Sequence, residues 1–205
     1  MFDDNDLFFL QSLASSAALA ILNARMAEAL VEQERVKREL ELAAEIQRSL
    51  LPDEKGEEYP VHGVNCPART VSGDFYDYFP LPDGRIYFNL GDVSGKGMNA
   101  ALLMAKTASL FRCLGKTIHD PGRLLSLIND EICETVTRGM FVTMLGGIYD
   151  PKKGTVKLAN AGHEPPLYHA RDGSFTPLPA EAPPLGISPL LTAGGGLPVT
   201  ELGLV

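Results

Sequence analysis

Gly91-Asp-Val-Ser-Gly-Lys-Gly97 is the stretch on which the reading of this chain turns. It follows Arg85-Ile-Tyr-Phe-Asn-Leu90, an apolar, aromatic and β-prone run that reads as a strand. It leads into Ala100-Ala-Leu-Leu-Met-Ala-Lys-Thr-Ala-Ser-Leu-Phe111, which reads as a helix. Asp92 therefore stands where a strand ends, before a glycine-rich turn. Gly95 and Gly97 let the backbone approach a ligand closely. A second acid, Asp74 in Ser72-Gly-Asp-Phe-Tyr-Asp77, lies one hairpin upstream. We expect Asp74 and Asp92 to meet in space and to hold divalent metal.

The hairpin between them is marked by Pro82-Asp83-Gly84, with strands over Asp74–Leu81 and Arg85–Leu90. A further strand is expected over Val61–Ala68. Downstream, the spacing predicts helices over Asn99–Leu114 and Pro121–Thr137, the second with Asp120 as N-cap and Pro121 in its first turn. Leu124, Leu125, Ile128, Ile132 and Val136 give that helix a core face. Strands follow at Phe141–Tyr149 and Thr155–Ala159, joined through Asp150-Pro-Lys-Lys-Gly154. A short hairpin spans Leu167–His169 and Ser174–Leu178, and one more strand begins after Leu197. Strands in hairpins with two helices inserted predict an α+β fold with antiparallel sheet.

Upstream, Leu7–Leu51 contains neither Gly nor Pro, and Pro52 ends it, so one long helix is expected. Its first part is rich in Ala and Leu. From Asn23 it is highly charged with a narrow seam: Leu22, Met26, Ala29, Gln33, Val36, Leu40, Ala43, Gln47 and Leu50 alternate by four and three. This heptad pattern predicts a dimerising coiled-coil linker, with Gln33 and Gln47 as polar seam residues. A long helix packed on its own domain is the alternative.

The chain has 205 residues and a net charge of −8, which argues against nucleic acid as the main partner. The three cysteines have no metal-type spacing and an odd count. Buried structural thiols in a reducing cytoplasm are expected, without a disulfide framework. No apolar run long enough to span a bilayer and no signal peptide are read, so membrane insertion is not expected. Two carboxylates at strand ends beside glycine turns suit Mg²⁺ or Mn²⁺, which take oxygen ligands, rather than zinc. Such an ion lowers the pKa of a held water toward neutrality and makes it a usable nucleophile. On the residues alone, caps and Asx-turns remain an equal explanation of the two aspartates.

Five segments carry a family resemblance: Ala44-Glu-Ile-Gln-Arg-Ser-Leu-Leu-Pro52, Pro67-Ala-Arg-Thr-Val-Ser-Gly-Asp-Phe-Tyr-Asp77, Gly91-Asp-Val-Ser-Gly-Lys-Gly-Met98, Met140-Phe-Val-Thr-Met144 and Asn160-Ala-Gly-His-Glu-Pro-Pro166. In order and spacing they resemble the SpoIIE/RsbU branch of the metal-dependent (PPM) protein Ser/Thr phosphatases. The resemblance implies a β-sandwich flanked by helices with a binuclear Mn²⁺/Mg²⁺ site. By position, Asp92 would bridge the metals, the Val93 carbonyl would ligate one, and Asp74 would join directly or through water. Arg69 is where some relatives place a phosphate-binding arginine. Asp77 is expected to cap or orient a neighbour, Ser94 and Lys96 to shape the turn, and Thr143 and Asn160 to satisfy backbone near the site. For His163 a structural hydrogen bond is preferred to proton donation. The implied substrate is a phosphorylated STAS-domain anti-anti-sigma factor or similar switch protein, with the linker helix carrying a signal from a sensor.

Asp6–Asn23 is similar to the last helix of a GAF sensor domain. The expected organisation is a sensor end at 1–22, a linker at 23–52 and a phosphatase domain at 53–205. The family pattern continues with a Thr-Asp-Gly strand and an Asp-Asp pair, both metal ligands, and the chain ends at Val205 before either. We therefore expect a truncated piece of impaired activity. The rival reading is a catalytically inactive dimerisation or partner-binding module.

Overall fold

The structure, a computed structural model, describes residues 3–53, 55–56, 58–67, 70–135, 139–189 and 195–204. The chain divides into two compact units, Met1–Leu42 and Ala43–Val205. Ser49–Pro52, expected to end the linker, thus belong to the second unit.

The first unit is helical and supplies most of α1 (Asp4–Arg48). Its start is fixed by reciprocal caps. Asp3 Oδ1 accepts the backbone N–H of Asn5 and Asp6, both at 2.9 Å, and Asp6 Oδ2 accepts that of Asp3 at 3.1 Å. Its apolar side chains are exposed, Phe8 at 74% and Leu30 at 65%. Within α1 an 18-residue window reaches a mean hydropathy of 1.6 with at most two charged residues, none of it buried. By length and composition the helix is therefore apolar enough to cross a membrane, which corrects the expectation that no such run exists. The cause is the dense Leu, Ile, Phe and Ala content before Arg25, which the interspersed Ser and Gln residues only partly dilute.

The second unit is built on a five-stranded sheet of order β1-β2-β3-β4-β7, antiparallel throughout. The strands are β1 (Phe75–Pro80), β2 (Ile86–Val93), β3 (Val142–Asp150), β4 (Thr155–Ala161) and β7 (Thr200–Gly203). Between β2 and β3 come α2 (Met98–Leu114) and α3 (Pro121–Cys133). The expected cap of α3 is present, with Asp120 Oδ1 accepting the Arg123 N–H at 2.7 Å. A separate hairpin pairs β5 (Leu167–His169) with β6 (Phe175–Pro177), and Tyr168 donates its hydroxyl to the Gly203 carbonyl at 2.8 Å.

Strand alternation gives the sheet two faces. Tyr87, Val93, Val142, Met144 and Ile148 meet Phe111, Leu124, Leu125, Ile128 and Ile132 of the helices in one core. Fully burying each such side chain contributes roughly 1.5–3 kcal/mol, so this layer carries most of the unit's hydrophobic stabilisation. The opposite face holds a smaller cluster, Leu145, Val156 and Leu158, with Leu178 packed on it just after β6.

Two expectations need correction. Residues 61–67 form no strand: Val64 is 84% exposed, and the segment meets β1 through a side chain, Asn65 Nδ2 donating to the Asp74 carbonyl at 2.9 Å. Pro60 and Pro67 bracket the segment and remove ladder donors. The cysteines are free but not buried: Cys66 lies in this irregular stretch and Cys113 on the outer side of α2, both exposed, while Cys133 is partly exposed.

Candidate metal centre

The paired part of β1 and β2 ends at Phe75↔Gly91. One bond beyond it, the Val93 N–H donates to the Gly73 carbonyl at 3.3 Å, so the same register continues. Asp74 therefore stands directly opposite Asp92, in a pair that exchanges no main-chain bonds with each other. Side chains approach most closely at such pairs. Both project on the face away from α2 and α3, because Phe75, Gly91 and Val93 face the core side.

Desolvation pushes the Asp92 carboxyl above its usual range, and the neighbouring Asp74 pushes it further. Like charges directly opposite destabilise a sheet, so the pair is one that a cation would relieve.

The cleft around the pair measures about 440 Å³ and is lined by Val71–Asp74 and Asp92–Gly97. Among the described residues that line it, Lys96 is the one cationic side chain. It sits between Gly95 and Gly97, whose φ angles of 92° and 83° lie in the region that favours glycine. Ser94 shapes the turn as expected, its Oγ accepting the Phe141 N–H at 2.8 Å.

Gly73 shows why this corner stays open. A Cβ there would lie 3.0 Å from the Val93 carbonyl oxygen and 3.6 Å from Asp92 Oδ1. Two oxygens thus converge on space that any other residue would fill. Carboxylate and carbonyl oxygens are the donors that Mg²⁺ and Mn²⁺ take, so the residues present fit a hard cation. Among the described residues there is no cluster of three or more His, Cys, Asp or Glu suited to a metal. The chain's own contribution here is two carboxylates and a carbonyl.

Asp77, three residues on, faces the other way. It is buried at 2% exposure and pairs with Arg112 of α2, whose Nε donates at 2.7 Å and whose second nitrogen also donates. Burial pushes the Asp77 carboxyl up, and the guanidinium opposes that shift. Asp77 therefore braces β1 against α2 and lies outside the cleft. Arg69 falls outside the described residues.

Sequence reasoning missed Gln47. Read as a seam residue, it is instead buried in the second unit. Its Nε2 donates to the Ser72 carbonyl at 2.9 Å and the Ala101 carbonyl at 3.2 Å, and its Oε1 accepts the Ser72 N–H at 3.0 Å. Ser72 Oγ then accepts the Asp74 N–H at 3.0 Å. The last turn of α1 is thus tied through one amide to the segment that presents Asp74. A glutamine in a mostly apolar seam was the available signal, but a coiled coil explains it equally well.

Thr143, opposite Asp92 in the ladder, donates its hydroxyl to the Asp92 carbonyl at 3.3 Å and meets His163 Nδ1 at 2.9 Å. Asn160 holds His163 by both main-chain groups, its Oδ1 accepting the N–H at 2.8 Å and its Nδ2 donating to the carbonyl at 3.1 Å.

Residues 82–201 match the family described as Stage II sporulation protein E (SpoIIE). The chain is 34% identical over 159 residues to phosphoserine phosphatase RsbU of Bacillus subtilis, covering 76% of this chain and 47% of that protein. It is 32% identical over 182 residues to protein IcfG of Synechocystis, covering 74% of this chain and 28% of that one. The chain thus spans about half or less of these relatives' length. Its fold resembles the SiaA-PP2C domain of Pseudomonas aeruginosa, with a TM-score of 0.66 at 21% identity, covering 84% of this chain and 69% of that one. The α+β architecture on which the acid pair is built is therefore that of a PP2C-type domain, and the chain belongs to the SpoIIE family.

Proposed function

We propose that the protein is a metal-dependent phosphatase that removes phosphate from serine or threonine on a regulatory partner protein. Support comes from the family and from a relative named phosphoserine phosphatase. The observation that carries the reading is the directly opposed pair Asp74 and Asp92 in an open cleft.

Asp92, Asp74 and the Val93 carbonyl would hold Mn²⁺ or Mg²⁺. When bound, such ions lower the pKa of water and supply a nucleophile near neutral pH. In the proposed hydrolysis a water oxygen bonds to phosphorus as the bond to the seryl or threonyl oxygen breaks, and that oxygen takes up a proton. Lys96, lining the same cleft, balances charge on the phosphate oxygens. Arg69 is proposed as a second phosphate contact on sequence position, because a guanidinium matches phosphate bidentately.

The partner we propose is a phosphorylated STAS-domain switch protein in sigma-factor regulation; the relative named phosphoserine phosphatase supports the phosphoserine part of that reading. Residues 1–22 would end a sensor domain and 23–52 would link it, pairing two copies through the exposed part of the seam, Leu22 to Val36. Gln47 gives the linker a route to Asp74. Solution mass by light scattering tests the pairing: a dimer is expected, reduced to monomer by Leu40→Asp.

A second reading, a non-catalytic partner-binding module, is favoured by the absence of a three-ligand cluster among the described residues. Mn²⁺-dependent phosphate release from a phosphoserine STAS protein separates the two. The enzyme reading predicts release that is lost in Asp92→Asn. No Mn²⁺-dependent release from the parent chain, or release unchanged in Asp92→Asn, would favour the module.

A further inference from the structure

We propose that His163 is a positioning residue for the acid pair. It anchors the Asp92 main chain through Thr143 and leaves its own Nε2 as a bare acceptor. The inference rests on the metal-site reading above for its functional consequence, but its geometric core does not.

The argument follows the hydrogens. A threonine hydroxyl has one proton to give. In the proposed arrangement Thr143 gives it to the Asp92 carbonyl, 3.3 Å away. The 2.9 Å contact between Thr143 Oγ1 and His163 Nδ1 then draws its proton from the imidazole. The ring is therefore protonated at Nδ1, and in its neutral form Nε2 carries a lone pair. Burial holds the ring below its ordinary pKa, against the opposing charges of Glu164 and Asp74, which favours that neutral form.

The main chain that carries the ring is held in place. Asn160 brackets the His163 main chain on both sides, and Gly162 turns with φ of 65° against Pro184. The loop Asn160-Ala-Gly-His163 is thus a clamp whose far end is the Asp92–Val93 peptide. That peptide carries one of the proposed carboxylate ligands on one side and the proposed carbonyl ligand on the other. Groups that orient metal ligands typically change metal affinity about 10–100-fold when lost.

Two isosteres separate the ring nitrogens. Asparagine places an N–H near the position of Nδ1, and glutamine places one near Nε2. Titrating Mn²⁺ calorimetrically into the chain should show about 10-fold weaker binding in His163→Gln, His163→Ala and Thr143→Val. His163→Asn should stay within about 3-fold of the parent. Combining Thr143→Val with His163→Gln should add little to either alone. Rescue by glutamine rather than asparagine would overturn the proposal, as would parental affinity in the alanine variant.

A metal-free measurement keeps the test independent. Long-range ¹H–¹⁵N spectra of the parent chain in chelator should show the His163 ring as the Nδ1–H tautomer. An Nε2–H tautomer would overturn the anchoring geometry outright. If no Mn²⁺ binds the parent chain, the metal reading fails, and the tautomer alone then decides this proposal.

Discussion

Asp74 and Asp92 face each other across β1 and β2 in the register set by Phe75↔Gly91 and the Val93–Gly73 bond. Two carboxylates placed this way cost stability in the absence of a cation. The cost is one that function explains and packing does not.

Removing one charge should therefore separate stability from activity. In chelator, Asp92→Asn is expected to stabilise the fold by roughly 0.2–1 kcal/mol. For a chain this size that is a rise in Tm of about 1–3 °C. The same variant should lose Mn²⁺-dependent phosphate release. Thermal unfolding with and without metal checks both halves.

Gly73→Ala introduces a Cβ at 3.0 Å from the Val93 carbonyl and 3.6 Å from Asp92 Oδ1. We expect Mn²⁺ affinity to fall by about 10-fold or more, as loss of a supporting group does, with the far-ultraviolet circular dichroism unchanged. Calorimetry on the folded variant measures it.

Gln47→Ala removes the amide that meets both main-chain groups of Ser72. Leaving buried main-chain groups unpaired costs about 1–3 kcal/mol. Denaturant unfolding should show that loss. Hydrogen exchange should also rise at Ser72 and Asp74, whose N–H groups belong to this chain of bonds.

Arg112→Met strands the Asp77 carboxylate in the core. The Arg112 side chain is itself 43% exposed, so the expected loss is about 1–3 kcal/mol, the cost of leaving a buried polar group unpaired. Replacing both partners, with Asp77→Asn added, should recover much of it. A double-mutant cycle in denaturant reads the coupling.

His163 gives a pH dependence with a defined sign. Its folded pKa lies below the ordinary 6.5. The unfolded chain therefore binds more protons there, and stability rises with pH. Its contribution is complete above 6.5 and is lost as pH falls through the folded value. His163→Asn should flatten this limb of the stability–pH curve measured by denaturant unfolding.

Much of the second unit was legible because local signals and tertiary structure agree. Pro82-Asp83-Gly84 and Asp150-Pro-Lys-Lys-Gly154 lie between the strands they were expected to join, and Asp120 caps α3. The acid pair was legible because hairpin register follows from the turn, and register fixes which residues oppose. Val61–Ala68 misled because β-propensity speaks to a pleated, half-buried surface, and here Val64 finds none. Gln47 was illegible for a different reason: a seam amide looks the same whether its partner is a second helix or a loop far along the chain. The hydroxyl–imidazole link from Thr143 to His163 joins β3 to the loop after β4, and no spacing in sequence encodes it.

Calorimetric titration of Mn²⁺ into the parent chain, Asp74→Asn and Asp92→Asn tests the central claim most directly. The account predicts saturable binding in the parent and at least a 10-fold loss in each variant, the size expected when a supporting group of a metal site is removed. Binding of equal strength in all three, or no binding in the parent, would contradict it.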